Sequence, residues 1–354
     1  MNIPTGSPAG HQRADEQSQG GLRAHAPDRL RIGAAVAGYG RTATTMPLLT
    51  AARYRQVLAA EFSSLTPENQ TKWEWLQPAP GEFDFAAADA IVDFAAEHGQ
   101  HVRGHTLLWH NQNPGWITGG DHSPEELRRL LRTHIQTVVG RYAGRIQHWD
   151  VVNEILDDDG RLRTEQNPWL GALGPEIIAD AFTWAHDADP DALLFGNDFD
   201  VERHGAKSDA WYALLRDLRS QGVPVHGFGV QGHLDMSAPF PEDLPQNLKR
   251  FADLGLRTAI TELDVRGPVT GEGGLSEEHL DQQADWYARI TRIALDVPGC
   301  ESLTPWGVLD EQSWVPGWFP GTGGALLLHG DYQPKPAYHA VREALAAGGQ
   351  RPTA

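Results

Sequence analysis

Residues 146–154 read IQHWDVVNE and residues 257–264 read RTAITELD. Each is a short, nearly unbroken apolar run that ends on polar side chains: Asn153 and Glu154 in the first, Glu262 and Asp264 in the second. A strand covered on both faces needs apolar side chains on both, so such runs suit a parallel sheet packed between helices. Similar runs occur at 31–37, 61–66, 101–109, 192–197, 225–231 and 302–308. Between them lie stretches with helical spacing, at 50–59, 84–98, 123–142, 175–188, 206–221, 241–254, 276–296 and 335–347. Asp84 is placed to cap the second. The third opens on Ser123-Pro124-Glu125-Glu126, an N-cap serine with proline in the first position and acids in the first turn.

Strand and helix thus alternate eight times, which predicts parallel βα units. No region is left over for a second core, so the α/β chain is expected to close into a single-domain (β/α)8 TIM barrel spanning 28–347. An open doubly wound sheet is the alternative, but no Gly-rich phosphate loop follows the first strand. Residues 1–27 lack periodicity and are rich in Gly, Ser, Gln and Pro, as expected of a disordered tail. Residues 348–354 are expected to fray.

Composition narrows the function. Of 354 residues, 47 are acidic and 29 are Lys or Arg, for a net charge of −18. That argues against nucleic acid and anionic membrane surfaces as partners. No apolar stretch is long enough to span a bilayer. The first 25 residues hold no apolar signal core, so a cytoplasmic location is expected, with a secreted protein lacking its export signal as the alternative. Cys300 is the one cysteine, which excludes an intrachain disulfide, and its apolar flank predicts a buried thiol. A monomer is expected. Most of the 12 tryptophans are expected in the core, but a few sit in polar, Gly/Pro-rich contexts, and indole faces stack on the C–H faces of sugar rings.

In a barrel of this kind, catalytic groups sit at the C-terminal ends of the strands. Those ends carry Glu68, Asn69 and Lys72 after strand 2, and His105, Trp109, His110 and Gln112 around the end of strand 3. Asn153 and Glu154 end strand 4, and Gln231 and His233 follow strand 6. Glu262 and Asp264 lie on strand 7, with Trp306 and Trp314 after strand 8. The opposite ends read as plain. So many converging polar and aromatic groups predict a large hydrogen-bonding cleft. A carboxylate at the end of an apolar strand is costly without a function or a partner. Strands 4 and 7 face each other across a barrel, so Glu154 and Glu262 can flank one bond. Two carboxyls about 5–5.5 Å apart suit glycoside hydrolysis with retention. Asp264 can hold His233, and His233 can donate to Glu262 and keep it ionised, as a nucleophile must be. The charge on Glu262 then favours a protonated Glu154, the general acid, while Asn153 is placed to donate to a sugar 2-hydroxyl. No cofactor is required. His105 and His110 are read as pointing to opposite faces of a strand, and neither H-E-x-x-H nor G-x-S-x-G occurs, so neither metal nor serine chemistry is expected.

PENQTKWEWLQPAPGEFDF (67–85), VRGHTLLWHNQNPGW (102–116), HWDVVNE (148–154), GVQGHL (229–234), ITELDV (260–265), TPWGVLDEQSW (304–314) and PKPAY (334–338) together resemble the glycoside hydrolase family 10 endo-xylanases. The resemblance runs over about residues 30–347. It implies a retaining endo-β-1,4-xylanase acting on xylan or xylo-oligosaccharides, with Glu154 as acid/base and Glu262 as nucleophile. It further implies that Glu68, Asn69 and Lys72 hold xylose on the non-reducing side. His105, Trp109, Gln112, Asn153, Gln231, His233, Trp306 and Trp314 match its innermost sugar contacts, and His233 with Asp264 its nucleophile support. The wall of Glu68, Asn69, Lys72 and Trp314 is what would disfavour glucose, with its extra hydroxymethyl, and so an endo-glucanase or aryl β-glycosidase. A sugar-binding barrel without catalysis would lack one of the two carboxylates. The chain departs from the family at Phe199 and Asp200, where N-D-Y-N is common, at the unpaired Cys300, and at Pro305.

Overall fold

The computed structural model describes residues 20–38, 46–270 and 274–349. Among these, eight parallel strands form a barrel: β1 Arg31–Val36, β2 Ser64–Pro67, β3 His101–Leu108, β4 His148–Asn153, β5 Leu193–Asp198, β6 Gly227–Val230, β7 Arg257–Pro268 and β8 Cys300–Pro305. Each pairs with the next in chain order. β8 returns to β1 through Arg31↔Ser302 and Ile32↔Leu303. That last pairing separates a closed barrel from an open sheet, whose edge strands would stay apart.

Helices α1 Ala52–Glu61, α2 Ala86–Glu97, α3 Pro124–Arg141, α4 Glu176–Ala188, α5 Ala206–Ser220, α6 Leu244–Asp253, α7 Glu277–Asp296 and α8 Pro336–Gly349 lie between the strands. α3 shows why they form. Ser123 Oγ accepts from the Glu126 N–H at 3.2 Å. Leu131, Ile135, Val138 and Val139 then repeat at helical spacing and are buried, which supplies the apolar stripe that holds a helix to a sheet. α2 departs from expectation at its start. Phe85, not Asp84, precedes its first residue, and Asp84 Oδ1 accepts from the Ala86 N–H at 3.0 Å.

Most boundaries fall within three residues of those predicted. β2 begins at Ser64 rather than 61 because α1 runs on to Glu61. β7 extends past 264 to Pro268 because it gains partners. His233–Asp235 pairs with it in parallel, and Thr322–Gly323 pairs antiparallel at its end. Of residues 1–27, 1–19 lie outside the described residues. Leu22–His25 form a helical turn with Leu22 buried, and the Leu22 N–H donates to Glu61 Oε2 at 2.8 Å. A four-residue turn shows no periodicity in sequence. At the other end α8 continues to Gly349, and 350–354 lie outside the described residues.

The N-terminal mouth of the barrel is not plain, against expectation. Arg31, His101, His148, Arg257 and Glu301 line a recess of about 1360 Å³ there. Glu301 lies 3.4 Å from His148 Nε2 and 3.2 Å from Arg257 Nε. Each residue comes from a different strand, so no single run of sequence announces the cluster. Cys300, beside it, is buried and free, and burial pushes its thiol up to about 12.

Candidate active site

Glu262 sits inside the C-terminal mouth on β7, almost fully buried. Its two oxygens are held separately. Asn197 Nδ2 donates to Oε1 at 2.7 Å, and His233 Nε2 lies 3.3 Å from Oε2. His105 Nδ1 is 3.9 Å from Oε1. Burial by itself would raise the Glu262 carboxyl, but the charge of His105 and the hydrogen bond from His233 outweigh it and hold the group below the usual carboxylate range.

His233 is placed by register. The strand His233–Asp235 pairs with β7 so that His233 lies opposite Asp264. Its Nδ1 is 2.9 Å from Asp264 Oδ2, which also accepts from Trp314 Nε1 at 2.8 Å. Burial would lower the imidazolium, but Asp264 and Glu262 reverse that and push it up to about 10. A protonated His233 donates from both nitrogens, one to each carboxylate.

Glu154 follows β4 and is partly open to the cleft. Trp109 Nε1 donates to its Oε2 at 2.8 Å, and Gln231 Nε2 and Asn153 Nδ2 donate to its Oε1 at 3.1 and 3.2 Å. Its backbone is left-handed, with φ 53°, as is that of Gln112 with φ 48°. Such a conformation costs a non-glycine residue on the order of 1 kcal/mol and is found where the surroundings enforce it. Here the Glu154 N–H donates to Asn197 O at 2.9 Å, which turns the chain so that the side chain enters the cleft.

Asn197, on β5, links the two acids. Its Nδ2 reaches both Glu262 Oε1 and, at 2.9 Å, Asn153 Oδ1, while Thr261 Oγ1 donates to its Oδ1 at 2.7 Å. The threonine contact fixes which end of the amide faces Glu262. Nothing in the linear sequence marks Asn197 for this role, because the role depends on which neighbours the strand register brings beside it. Asp150 was missed for the same reason. Its Oδ2 lies 2.9 Å from His105 Nδ1, and it pairs with Arg103 inside the barrel.

The remaining candidates gather around this centre. Lys72 Nζ donates to Gln112 Oε1 at 2.7 Å and Asn69 Oδ1 at 3.1 Å and lies 4.8 Å from the Trp109 ring centroid. Burial lowers its ammonium, and the charges of Glu68, Glu262 and Glu154 oppose that shift. Glu68 and Asn69 are buried beside it. Trp306 packs edge-on against His105 at 5.3 Å, and Trp314 against His233 at 4.8 Å. Trp109, read as a sugar contact, is also tied directly to Glu154. Asn153, read as a donor to a sugar 2-hydroxyl, touches Glu154 and is linked to Glu262 through Asn197. His105 and His110 do not oppose each other across a strand, because β3 ends at Leu108. Instead His105 borders Glu262, and His110 Nε2 lies 4.0 Å from Glu154 Oε2.

The arrangement offers one carboxylate held ionised and a second within a donor network open to the cleft. That is the equipment for displacement at an acetal carbon with proton transfer to the leaving oxygen. Among the described residues, no group of three or more His, Cys, Asp or Glu side chains is placed to hold a metal ion.

Residues 28–344 match the profile of glycosyl hydrolase family 10. The chain is 44% identical over 293 residues to endo-1,4-beta-xylanase B of Thermotoga neapolitana, covering 83% of each sequence. Its structure is similar to that of native xylanase 10B from Thermotoga maritima, with TM-score 0.87 and 43% identity, over 94% of this chain and 100% of the other. It is equally similar, at TM-score 0.87 and 42% identity, to xylanase 10B from Thermotoga petrophila in complex with xylobiose, over 93% and 98% of the two chains.

Proposed function

The chain belongs to glycosyl hydrolase family 10, and on that premise we propose that it is a retaining endo-β-1,4-xylanase with Glu262 as nucleophile and Glu154 as acid/base. The substrate is xylan or a xylo-oligosaccharide. The observation that carries the assignment of roles is the unequal holding of the two acids. Glu262 has His233 on one oxygen and Asn197 on the other, which favours the anion. Glu154 faces the cleft, where it can meet a glycosidic oxygen.

In the first step a Glu262 oxygen attacks the anomeric carbon while Glu154 gives its proton to the departing oxygen. The C–O bond to the leaving sugar breaks and a glycosyl ester on Glu262 forms. In the second step Glu154, now a carboxylate, takes a proton from water, and the water oxygen displaces Glu262 from the same carbon. Two inversions give net retention. His233 and Asn197 meet Glu262 as an anion before and after the ester, so they favour its departure in the second step.

Two variants test the roles. Glu262→Ala should abolish hydrolysis, and added azide should restore turnover of an activated aryl xyloside as a glycosyl azide of inverted configuration. Failure of rescue in a folded variant contradicts the nucleophile role. Glu154→Ala should lose far more activity on xylan than on aryl substrates with good leaving groups, which need little protonation. Equal losses contradict the acid role. The substrate assignment is tested by comparing xylan with cellulose, and faster turnover of cellulose would overturn it.

A further inference from the structure

Trp318 is 71% exposed, and among the described residues only Leu49 joins it as a large hydrophobic side chain left open to solvent. It ends the one-turn helix Val315–Trp318, which is preceded by Trp314. The inner side of this turn is pinned. Trp314 Nε1 donates to Asp264 and its ring packs on His233. Phe319 lies edge-on to Trp314 at 5.6 Å, and the Arg266 guanidinium covers its ring at 3.8 Å. Trp318 is the member of the cluster turned outward. Its ring centroid is 6.1 Å from that of Trp314, with the planes 59° apart.

The contacts run in sequence from Glu262 through His233 and Trp314 to Trp318, so Trp318 lies one ring farther from the nucleophile than Trp314. A xylan chain along this wall presents C–H-rich ring faces to it, and an indole face attracts them. An exposed aromatic held by a pinned turn offers that face with little ordering cost on binding. We propose that Trp318 is a stacking platform for an additional xylose unit, extending the cleft beyond Trp314 and favouring longer oligosaccharides. The proposal rests on the xylanase assignment above. It places Trp318 outside the hydrogen bonds that hold Glu262 and Glu154, so its effect should depend on substrate length.

The experiment is steady-state kinetics of Trp318→Ala and Trp318→Phe on an aryl xylobioside, xylohexaose and xylan. For Trp318→Ala, KM on xylohexaose and xylan should rise about fivefold with kcat nearly unchanged, in line with the strength of one aromatic contact. The aryl xylobioside should be unaffected, and Trp318→Phe should recover part of the loss. An unchanged KM on xylohexaose, or an equal rise on both oligosaccharide lengths, would overturn the proposal. A wild-type protein inactive on xylohexaose would instead overturn the xylanase assignment.

Discussion

His233 stands between Asp264 and Glu262, and its imidazolium is stabilised by both despite burial. Its raised value fixes a sign. The favourable interaction is fully present below the ordinary histidine value near 6.5 and is lost as pH rises through about 10. Within the working range it acts on Glu262, which it helps to hold below the usual carboxylate range. Replacing it with a neutral side chain therefore moves Glu262 upward. For His233→Asn, the acidic limb of the kcat/KM–pH profile should shift to higher pH, because that limb reports the ionisation of Glu262 in the free enzyme. A limb that stays put or moves down would contradict the proposed support. Gly229 makes a second point at this scale. A Cβ there would come within 2.3 Å of Asn197 Oδ1, part of the amide that ties Glu262 to Asn153. Gly229→Ala should cost at least about tenfold in kcat/KM through that displacement, and undiminished turnover would show that this tie does not matter. The two glutamates, His233 and Asp264 were legible in sequence because each ends or follows an apolar run. Asn197 and Asp150 were not, since their partners lie 44 to 65 positions away and meet them only through register.

Elements were legible where their periodicity was strong. α3 announced itself by its cap and its apolar stripe, and its first residue is the proline that the sequence placed there. Ser123→Ala should therefore lower stability by about 1 kcal/mol without changing the kinetics, as measured by denaturant unfolding and an assay on the same sample. Loss of the cap without any destabilisation would remove Ser123 from the reasons this helix starts where it does. The strands were harder to bound, because a short run of apolar residues does not say where pairing begins. β7 outran its predicted end only because two short segments from distant loops pair with it. Inside the barrel, Gly104 lies against Trp149, and a Cβ there would stand 2.2 Å from the indole. The ring is fully buried and has little room to yield, so Gly104→Ala should destabilise by about 1–3 kcal/mol. A neutral result would mean that this layer of the barrel is looser than its geometry indicates.

At the scale of the molecule, closure of the sheet gathers the site. Glu154 and Glu262 come from β4 and β7, His233 from the segment after β6, and Asn197 from β5 between them. The set comes from four consecutive strands, and the curvature of the barrel turns the ends of β4 and β7 toward each other across its mouth. The alternation of eight strands and eight helices made closure legible. The polar N-terminal mouth was not, since Arg31, His101, His148, Arg257 and Glu301 each sit singly at or next to the start of a different strand. Cys300 lies beside that mouth with its thiol buried, so a thiol reagent should label it only as the whole barrel unfolds. Rapid labelling of the native protein would point instead to local opening there. The central claim is that Glu262 carries the glycosyl ester. An activated 2-fluoro-xylobioside slows both steps by opposing the oxocarbenium-like transition state, while its good leaving group lets the first proceed and the ester accumulate. Peptide mass spectrometry of the trapped enzyme should find the sugar on Glu262. A label on Glu154, or rapid turnover through a product of inverted configuration with no trapped ester, would contradict it.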